Sequence, residues 1–387
     1  MSAVSTNPPL RVGQVVAGVG GESAGPSYSV PRLCSGLQQT GVNVTLYSLG
    51  KEAEPFPFPH RVYPSHRIPS YTLGRSPELF AALCNAAPAL DILHSNALWM
   101  FPNIYPAWAI RGTPCKLVNS PRGSFAPHAL RRSRWKKVPF WLLFQRAALA
   151  QTDLWHATCQ KEYDEIRAMG YRQPVAIIPI GMDLPSFSPD IRKGASPLRQ
   201  LVFFGRIHPI KAVDRLVAAW GLIASALPDL ELVIAGPDCG GKAALDALIA
   251  AQRIPRVRFT GELHKQAKYD FLRTAELCVL PSFTENFGVT VAEALACETP
   301  VIASTGTPWS SLAAHQAGWW VDNAVASLKQ TLEAALALPQ ADLLAMGKRG
   351  REWIAQDFSW PQIGAQMSAA YQWLLGRGSK PDCVITD

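Results

Sequence analysis

The chain has 387 residues, which is too long for one ordinary domain, so two domains are the default expectation. Hydrophobic residues make up 48% and charged residues 17%, a composition that allows a large core and excludes a mainly disordered chain. Residues 1–185 hold 18 Lys and Arg against 10 Asp and Glu, whereas residues 186–387 hold 19 of each. The whole excess of positive charge therefore lies in the first half, which indicates an anionic partner there.

The N-terminal sequence and the cysteines indicate where the protein works. MSAVSTNPPLRVGQ lacks the layout of a signal peptide, and the longest apolar stretch, VPFWLLFQRAALA, is too short to span a bilayer. The eight cysteines are scattered without a CxxC pair, which predicts reduced thiols. We therefore expect a cytoplasmic protein that can lie against the inner face of the membrane.

The first half alternates strand-like and helix-like segments. RVGQVVAG opens as a strand, the glycine-rich loop GVGGESAG enters an amphipathic helix, and VNVTLYSL is the next strand. Further strands are predicted at DILHS, CKLVNS, LWHAT and VAIIPIG. Strands that alternate with helices predict a parallel sheet covered on both faces.

The segment GMDLPSFSPDIRKGASPLRQ interrupts this alternation, and its Pro, Ser and Gly content predicts a linker between domains 1–185 and 186–359. The second half repeats the pattern with strands at LVFFG, LELVIAG, RVRFTG, LCVLPS and PVIAS. We predict an α/β protein of two Rossmann-like, doubly wound domains. Ligands of such folds bind outside the carboxyl ends of the strands, so we expect them in a cleft between the domains.

Two segments carry features of phosphate binding. Gly20 and Gly21 lie in the loop GVGGESAG, where small residues let backbone N–H groups approach a phosphate at the start of a helix. This spacing is neither GxGxxG nor a Walker loop, so an ordinary strand-to-helix turn is the alternative. In FFGRIHPIK, Gly205 ends a strand, Arg206 follows, and Lys211 comes five residues later. An Arg fork and a Lys point charge suit a diphosphate, although two solvated surface charges would look the same.

The segment TENFGVTVAEAL places Glu285 and Glu293 eight positions apart. A strand ends just before Glu285 and a helix opens at Gly288, so the two acids bracket a helix N-terminus. Carboxylates bind neighbouring hydroxyls well, and the pattern predicts a nucleotide sugar whose diphosphate lies on Arg206 and Lys211. A capping acid and a solvated helical acid are the alternative.

With these motifs the sequence resembles the GT4 family of retaining glycosyltransferases, which has the GT-B fold. The resemblance covers almost the whole chain and is carried by GVGGESAGPSYSV, FFGRIHPIK, LVIAGP, VRFTGEL, PSFTENFGVTVAEALACETPVIAS and FSWPQIGAQMSAAYQWLL. It implies transfer of a sugar from a nucleotide sugar to an acceptor hydroxyl with retention of the anomeric configuration. It also implies that the C-terminal segment 360–387 crosses back to the first domain.

The resemblance implies a role for each matched residue. Glu285 holds the donor sugar, Glu293 binds the ribose, and Arg206 and Lys211 hold the diphosphate. The remaining donor-binding positions are Gly205, Gly261, Glu262, Leu263, Asn286, Phe287 and Gly288. Among these, the segment FTGEL, which ends at Leu263, matches the family's segment that lines the nucleobase. Cations at the leaving phosphate lower the barrier because negative charge develops there. No Asp-x-Asp occurs in the sequence, and the family is metal-independent, so we expect neither a metal nor another cofactor.

The acceptor side has a weaker signature. NSPRGSFAPHAL resembles a PRG-x-x-x-P segment of polysaccharide-assembling members, but Ser124, Ala126 and His128 stand where that subgroup has Met, Glu and Trp. Arg122 follows a predicted strand and is expected to face the cleft. His94, at a predicted strand tip, and His128 are further candidates for positioning the acceptor hydroxyl. Structural or solvated histidines are the alternative.

Residues 131–144, RRSRWKKVPFWLLF, combine five cations with aromatic residues. This combination suits an anionic membrane surface, where a lipid-diphosphate acceptor would lie. The alternative is an ordinary exposed helix whose apolar face packs inward. No stacking or zinc module accompanies the charge, so we do not expect a nucleic-acid partner.

These observations predict a GT4-type hexosyltransferase that uses a UDP- or GDP-sugar to build a cell-surface polysaccharide, such as lipopolysaccharide, or a glycolipid. Two alternatives remain at this point. A nucleotide-sugar 2-epimerase shares the architecture but lacks a segment like TENFGVTVAEAL, and a non-enzymatic nucleotide-sugar-binding module would share the donor site.

Overall fold

The structure, a computed structural model, describes residues 8–19, 25–50, 55–68, 71–187 and 198–386. The chain divides into two compact units, Met1–Gly181 with Trp360–Asp387, and Met182–Ser359. The division falls four residues before the boundary expected from the sequence. Part of the expected linker, residues 188–197, lies outside the described residues.

Strands and helices alternate through both units. The strands are β1 (Arg11–Val16), β2 (Asn43–Leu49), β3 (His60–Tyr63), β4 (His66–Ile68), β5 (Tyr71–Arg75), β6 (Ile92–Asn96), β7 (Lys116–Ser120), β8 (Leu154–Ala157), β9 (Val175–Ile177), β10 (Arg199–Phe204), β11 (Leu230–Ala235), β12 (Val257–Gly261), β13 (Leu277–Leu280), β14 (Val301–Ser304), β15 (Gly318–Val321) and β16 (Val384–Ile385). The helices are α1 (Gly25–Gln39), α2 (Pro77–Ala86), α3 (Tyr105–Ala109), α4 (Pro127–Arg131), α5 (Arg134–Phe140), α6 (Arg146–Leu149), α7 (Gln160–Ala168), α8 (Val213–Ile223), α9 (Lys242–Gln252), α10 (Lys265–Thr274), α11 (Val289–Ala296), α12 (Val325–Leu336), α13 (Gln340–Asp357) and α14 (Trp360–Leu374). A π-helical turn at Trp141–Gln145 joins α5 to α6. Short 3-10 turns lie at Ala87–Ala89, Phe101–Asn103, Pro209–Lys211, Ala224–Ala226 and Ser310–Leu312.

The sheet of the first unit has the strand order β16-β9-β8-β7-β6-β1-β2-β3. All its neighbours pair in parallel except β16, which is antiparallel to β9 at the edge. Its central strands are nearly all buried, as parallel strands covered on both faces require. β4 and β5 form a separate antiparallel pair.

The second unit is a six-stranded parallel sheet in the order β12-β11-β10-β13-β14-β15. Counted from β10, this is the order 3-2-1-4-5-6, and the chain changes direction across the sheet between β10 and β13. Ligands of such sheets bind at this switch point, beyond the carboxyl ends of the two strands. The two parallel sheets confirm the predicted α/β class. Within the part of the chain that is described, no helix has both the length and the apolar character needed to cross a membrane.

The last helix, α14, belongs to the first unit and packs on α1. A Cβ on Gly36 would overlap the carbonyl of Trp360, and a Cβ on Gly364 would overlap the carbonyl of Gly36. The backbones of the two helices can therefore touch only because both positions are glycine.

We predict that Gly364→Ala lowers the free energy of unfolding by about 1–3 kcal/mol, because the added methyl group overpacks this helix contact. Urea unfolding followed by far-UV circular dichroism measures the change. Gly25→Ala is the matched control, since no described atom lies within 4 Å of its Cβ position. Equal stability of the Gly364 and Gly25 variants would contradict the packing described here.

Candidate functional site

The loops after β10 and β13 bring most of the predicted donor residues together at the switch point of the second unit. Arg206 directly follows Gly205 and is exposed, and no hydrogen bond or ion pair to another described residue engages its side chain. Lys211 ends the 3-10 turn Pro209–Lys211, two residues before α8 begins. Glu285 lies in the loop between β13 and α11.

Lys211 and Glu285 form an ion pair, with 2.5 Å between Nζ and Oε1. Both side chains are largely buried, at 13% and 14% exposed. The hydroxyl of Ser282 donates to the same oxygen at 2.6 Å. The two loops are also joined through the backbone, because the N–H of Phe283 donates to the carbonyl of Ile210 at 2.9 Å. The predicted phosphate-binding cation and the predicted sugar-binding acid are therefore direct neighbours.

The start of α11 is shaped by Gly288, which has φ +77° and ψ +55°, a left-handed conformation that favours glycine. Phe287 is buried, and its carbonyl accepts a 2.6 Å hydrogen bond from the indole of Trp309. A Cβ on Gly288 would lie 3.7 Å from Cγ of Glu285. The N-cap residue Gly288 has no side chain to cap the helix, which begins four residues after Glu285. Asn286 is half-buried in the same loop.

Glu293 does not have the exposed setting that a helical surface acid would have. It is 6% exposed in the second turn of α11, and its Oε1 accepts a 2.7 Å hydrogen bond from Nζ of Lys268 on α10. The sequence analysis did not identify Lys268, because nothing in the local pattern marks a partner on a different helix.

Glycines at three strand ends keep the backbones close together. Gly205 has φ +146°, and its N–H donates to the carbonyl of Ala235 at 2.9 Å. A Cβ on Gly236 would overlap the carbonyl of Gly205, a constraint that the sequence analysis missed. The N–H of Gly236 in turn donates to the carbonyl of Gly261 at 2.7 Å.

The two residues that follow Gly261 were predicted to line the nucleobase. Glu262 is exposed and lies 3.5 Å from the ring of His264, while Leu263 is half-buried. They follow β12, at the edge of the sheet and two strands away from β10.

Two further residues of the second unit hold the loop after β13 and were not predicted. Arg215 donates to Oδ1 of Asn323 at 2.7 Å and lies over the ring of Phe283, 4.5 Å from its centroid. The amide of Asn323 donates to the carbonyl of Pro281 at 2.9 Å. Arg215 on α8 and Asn323, which follows β15, therefore hold the loop that carries Glu285.

The first unit contains the predicted acceptor-side residues, and its main polar feature is a buried chain of hydrogen bonds. His94 lies in the middle of β6, not at a strand tip, and it is fully buried. Its Nδ1 lies 2.6 Å from the hydroxyl of Tyr371 on α14, and its Nε2 lies 2.6 Å from Oγ of Ser120. The expectation that His94 is accessible to an acceptor is therefore wrong, because its ring has no exposed surface and both nitrogens are occupied.

With both histidines neutral, the partners fix where the protons lie along this buried chain of hydrogen bonds. Nε2 of His156 lies 2.8 Å from the carbonyl of Ile178, which can only accept, so Nε2 carries the proton. Ser120 then donates to Nδ1 of His156 at 2.7 Å and accepts from Nε2 of His94. The hydroxyl of Tyr371 donates to Nδ1 of His94 and accepts from the amide of Gln14 at 3.0 Å. Both histidines are neutral in this arrangement.

Burial is the main reason for the pKa shifts in this chain. It lowers the pKa of His94 well below its ordinary value, and the nearby His156 and Arg122 lower it further. Burial and Arg122 lower the pKa of His156 to about 3. The pKa of Tyr371 is raised by burial. These directions of the pKa shifts agree with His94, His156 and Tyr371 all being neutral at physiological pH.

Arg122 extends this chain of hydrogen bonds through Asn96. It follows β7 with φ +54°, and its Nη2 donates to Oδ1 of Asn96 at 3.0 Å. The amide of Asn96 donates to Oε1 of Gln14 at 2.9 Å. Burial lowers the pKa of Arg122, and the charge of buried Glu162 opposes that shift. Glu162, which the sequence analysis missed, accepts from the N–H groups of Gly123 and Thr158 at 2.6 and 2.7 Å and so supports the turn that carries Arg122.

The other predicted residues are placed as follows. His128 is exposed on α4. Gly20 and Gly21 lie outside the described residues. Among the residues that the structure describes, no group of three or more His, Cys, Asp or Glu side chains could hold a metal ion.

Two family models match the chain. The model described as "Glycosyl transferases group 1" matches residues 190–353, and the one described as "Glycosyl transferase 4-like domain" matches residues 24–181. The matches thus fall on the two units separately and leave only short segments and the C-terminal helix unmatched.

Curated relatives and a solved structure agree with these matches. The D-inositol 3-phosphate glycosyltransferase of Jonesia denitrificans is 33% identical over 239 residues, which are 56% of this chain and 56% of the relative. The enzyme of the same name from Actinosynnema mirum is 25% identical over an alignment of 399 positions, which covers 91% of this chain and 92% of the relative. The chain therefore spans about half the length of the first relative. The Anabaena protein HepE, solved in complex with UDP and glucose, is similar in fold, with a TM-score of 0.72, 18% identity, and coverage of 93% of this chain and 98% of HepE.

These matches define the class of protein. The chain belongs to the group 1 glycosyltransferases of the GT4 type, and it has the GT-B fold. The family match favours a glycosyltransferase over the epimerase and the non-enzymatic binding module.

We predict that the first unit loses stability as the pH falls below about 6.5. The unfolded chain carries histidines of ordinary pKa, near 6.5, whereas His156 in the folded chain has a pKa of about 3. Between these values the unfolded state binds more protons, so the stability that is complete above pH 6.5 is lost toward pH 3, and His156 alone accounts for about 2 kcal/mol at pH 5. His94 acts in the same direction.

Urea unfolding at about pH 7.5 and about pH 5 measures this loss. His156→Gln should show a smaller difference between the two pH values than the wild-type chain, whatever its absolute stability. His264→Gln, at an exposed position of the second unit, is the control and should keep the wild-type difference. An unchanged pH difference in His156→Gln would show that this histidine is not held neutral.

Proposed function

We propose that this glycosyltransferase moves a hexose-type sugar from a UDP- or GDP-sugar to an acceptor hydroxyl, with retention of the anomeric configuration and without a metal. We further propose that the acceptor is a lipid-linked or growing cell-surface polysaccharide or a glycolipid. The observation that carries the donor part is the contact between Lys211 and Glu285 at the switch point of the second sheet. The chain's similarity to HepE, whose crystals hold UDP and UDP-glucose, supports a nucleotide sugar as donor.

The Lys211–Glu285 pair places a cation, which suits a diphosphate, next to a carboxylate, which suits sugar hydroxyls. Lys211 and the exposed Arg206 supply positive charge for the diphosphate, and the N-terminus of α11 adds the favourable end of its dipole. Glu285 supplies acceptor oxygens for sugar hydroxyls. The bond that breaks joins the sugar to the phosphate, so a donor bound in this way would be held on both sides of that bond.

The reaction follows from this placement of charge. The bond between the anomeric carbon and the phosphate oxygen breaks, and its electron pair stays on the diphosphate. The acceptor oxygen attacks the same face of the sugar, and its proton passes to the departing phosphate oxygen. Lys211 and Arg206 stabilise the charge that develops on the leaving group, which is the largest electrostatic change in the reaction. Glu285 orients the sugar and forms no covalent intermediate.

The buried pair of Glu293 and Lys268 fits a supporting role. Glu293 is held by Lys268 and lies in α11, the helix that begins beside Glu285. We propose that it binds the ribose hydroxyls, with Lys268 holding the carboxylate in place. Gly261, Glu262 and Leu263 then meet the nucleobase at the end of β12.

The proposed acceptor carries negative charge. Arg122 is the cation of the first unit that the buried chain holds in place, and we propose that it contacts an anionic acceptor. A phosphorylated polyol is a second candidate acceptor, because the two curated relatives are named for D-inositol 3-phosphate and Arg122 would suit its phosphate. A lipid diphosphate presents the same phosphate chemistry at a membrane.

A panel of UDP- and GDP-sugars tests the proposal. Binding raises thermal stability by mass action, so the correct donor should raise the melting temperature more than the others. Proton NMR of the product formed with lipid-linked and with phosphorylated-polyol acceptors should show the anomeric configuration of the donor, and EDTA should leave the rate unchanged. Inversion at the anomeric carbon, or loss of activity in EDTA, would overturn the proposed mechanism.

Substitutions of the central pair should have different kinetic effects. We predict that Lys211→Ala lowers kcat/KM by about 100- to 1000-fold and weakens binding of the nucleoside diphosphate, because it removes charge stabilisation at the leaving group. Glu285→Gln should lower kcat strongly while nucleoside-diphosphate affinity stays near the wild-type value, since the carboxylate contacts the sugar.

Steady-state kinetics and calorimetry with the nucleoside diphosphate measure these effects. The surface pair Lys329 and Glu333 of the same unit provides matched controls, and Lys329→Ala and Glu333→Gln should change neither quantity. A Glu285 variant that loses only nucleotide affinity would show that the role assigned to this residue is wrong.

A further inference from the structure

The segment from α4 to the π-helical turn exposes an apolar surface that no described residue of the first unit covers. Trp135, Leu142 and Leu143 are 68%, 63% and 69% exposed, and Val138 is exposed as well. Every large hydrophobic side chain that the described residues of the first unit leave exposed lies in this segment. In the second unit the exposed large hydrophobic residues are scattered along the chain.

The same segment has an inner face that is packed. Phe140 is buried, and Phe144 packs with it against the core of the first unit. Gln145 is fully buried, and its side-chain carbonyl accepts from the N–H of Trp99 at 3.0 Å. The helix is therefore held in place by one face while the other face remains in solvent. The inward-packing alternative accounts for Phe140 and Phe144 but leaves Trp135, Leu142 and Leu143 unexplained.

The charge around this surface is of one sign. Arg131, Arg132, Arg134 and Lys136 are exposed, and the whole stretch from residue 92 to residue 152 holds nine Lys and Arg without a single Asp or Glu. Exposed aromatic and aliphatic side chains bordered by cations match a membrane with anionic headgroups, in which the apolar groups insert at the headgroup level and the cations remain outside. A protein partner would more commonly be met by charges of both signs.

We propose that the membrane-docking surface, defined as Trp135, Leu142 and Leu143 with Arg131, Arg132 and Arg134, binds the full-length protein peripherally to an anionic lipid bilayer. The proposal deepens the proposed function, because it brings the enzyme to the place where a lipid-linked acceptor resides. Its physical basis is independent of the donor site, since none of these residues belongs to the second unit.

Co-sedimentation of the full-length protein with vesicles tests this surface. We expect binding to vesicles of phosphatidylcholine and phosphatidylglycerol in equal parts, weak binding to phosphatidylcholine alone, and a marked loss of binding at high salt. The double variant Leu142→Ser, Leu143→Ser should bind at least about tenfold more weakly. Each of Arg131→Gln, Arg132→Gln and Arg134→Gln should weaken binding about fivefold, because each removes one cation near the surface.

Leu222→Ser is the matched control, since Leu222 is 59% exposed in the second unit and should not affect vesicle binding. Hydrolysis of the donor without acceptor should be unchanged in the leucine double variant, which shows that it folds and separates membrane docking from the proposed chemistry. Wild-type protein that stays in the supernatant overturns the proposal, and so does undiminished binding by the double variant. Dimerisation or nucleic-acid binding through this surface, with no binding to vesicles, would also overturn it.

Discussion

The buried hydrogen-bond chain of the first unit is the constraint on which its interior depends. It crosses the sheet from Gln14 on β1 through His94 and Ser120 to His156 on β8, with all these side chains removed from water. A buried polar group without a partner costs about 1–3 kcal/mol, so each member must keep its neighbour in place. Tyr371 completes this chain from α14. The first unit therefore lacks part of its interior until the last helix of the protein has joined it.

The second unit buries ion pairs, whereas the first unit buries a chain of neutral hydrogen-bonding groups. Among the described residues of the second unit, the two most buried ion pairs are Lys211–Glu285 and Lys268–Glu293, which lie at the start of α11 and one turn along it. Removing charges from water costs nearly as much free energy as the pairing returns, so such pairs contribute little to stability. Their position near the switch point of the sheet fits the nucleotide-sugar donor that we propose. The same residues would then exchange a partner within the protein for one on the donor.

The sequence predicted contiguous features well and distant partnerships poorly. The long, buried strands of both sheets and the opening of α11 at Gly288 were predicted, because each depends on a short run of residues. The short strands β3, β4, β5, β15 and β16 were missed, since they lack a long apolar run. The setting of His94 could not be predicted either, because its partner Tyr371 is 277 residues away. No local pattern distinguishes a buried histidine with two partners from one at a strand tip.

Residues 131–144 show why some alternatives are decided only by the structure. In a regular helix, side chains three and four positions apart share a face, so the sequence allowed either an inward or an outward apolar face. Phe140 and Gln145 are buried and Phe144 is half-buried, whereas Leu142 and Leu143 lie on the opposite side of the turn and are exposed. Ordinary helical periodicity is enough to produce this division. The segment therefore has two apolar faces, of which one packs on the core and the other is left in solvent. The sequence pattern could not decide between an inward and an outward apolar face because both are present.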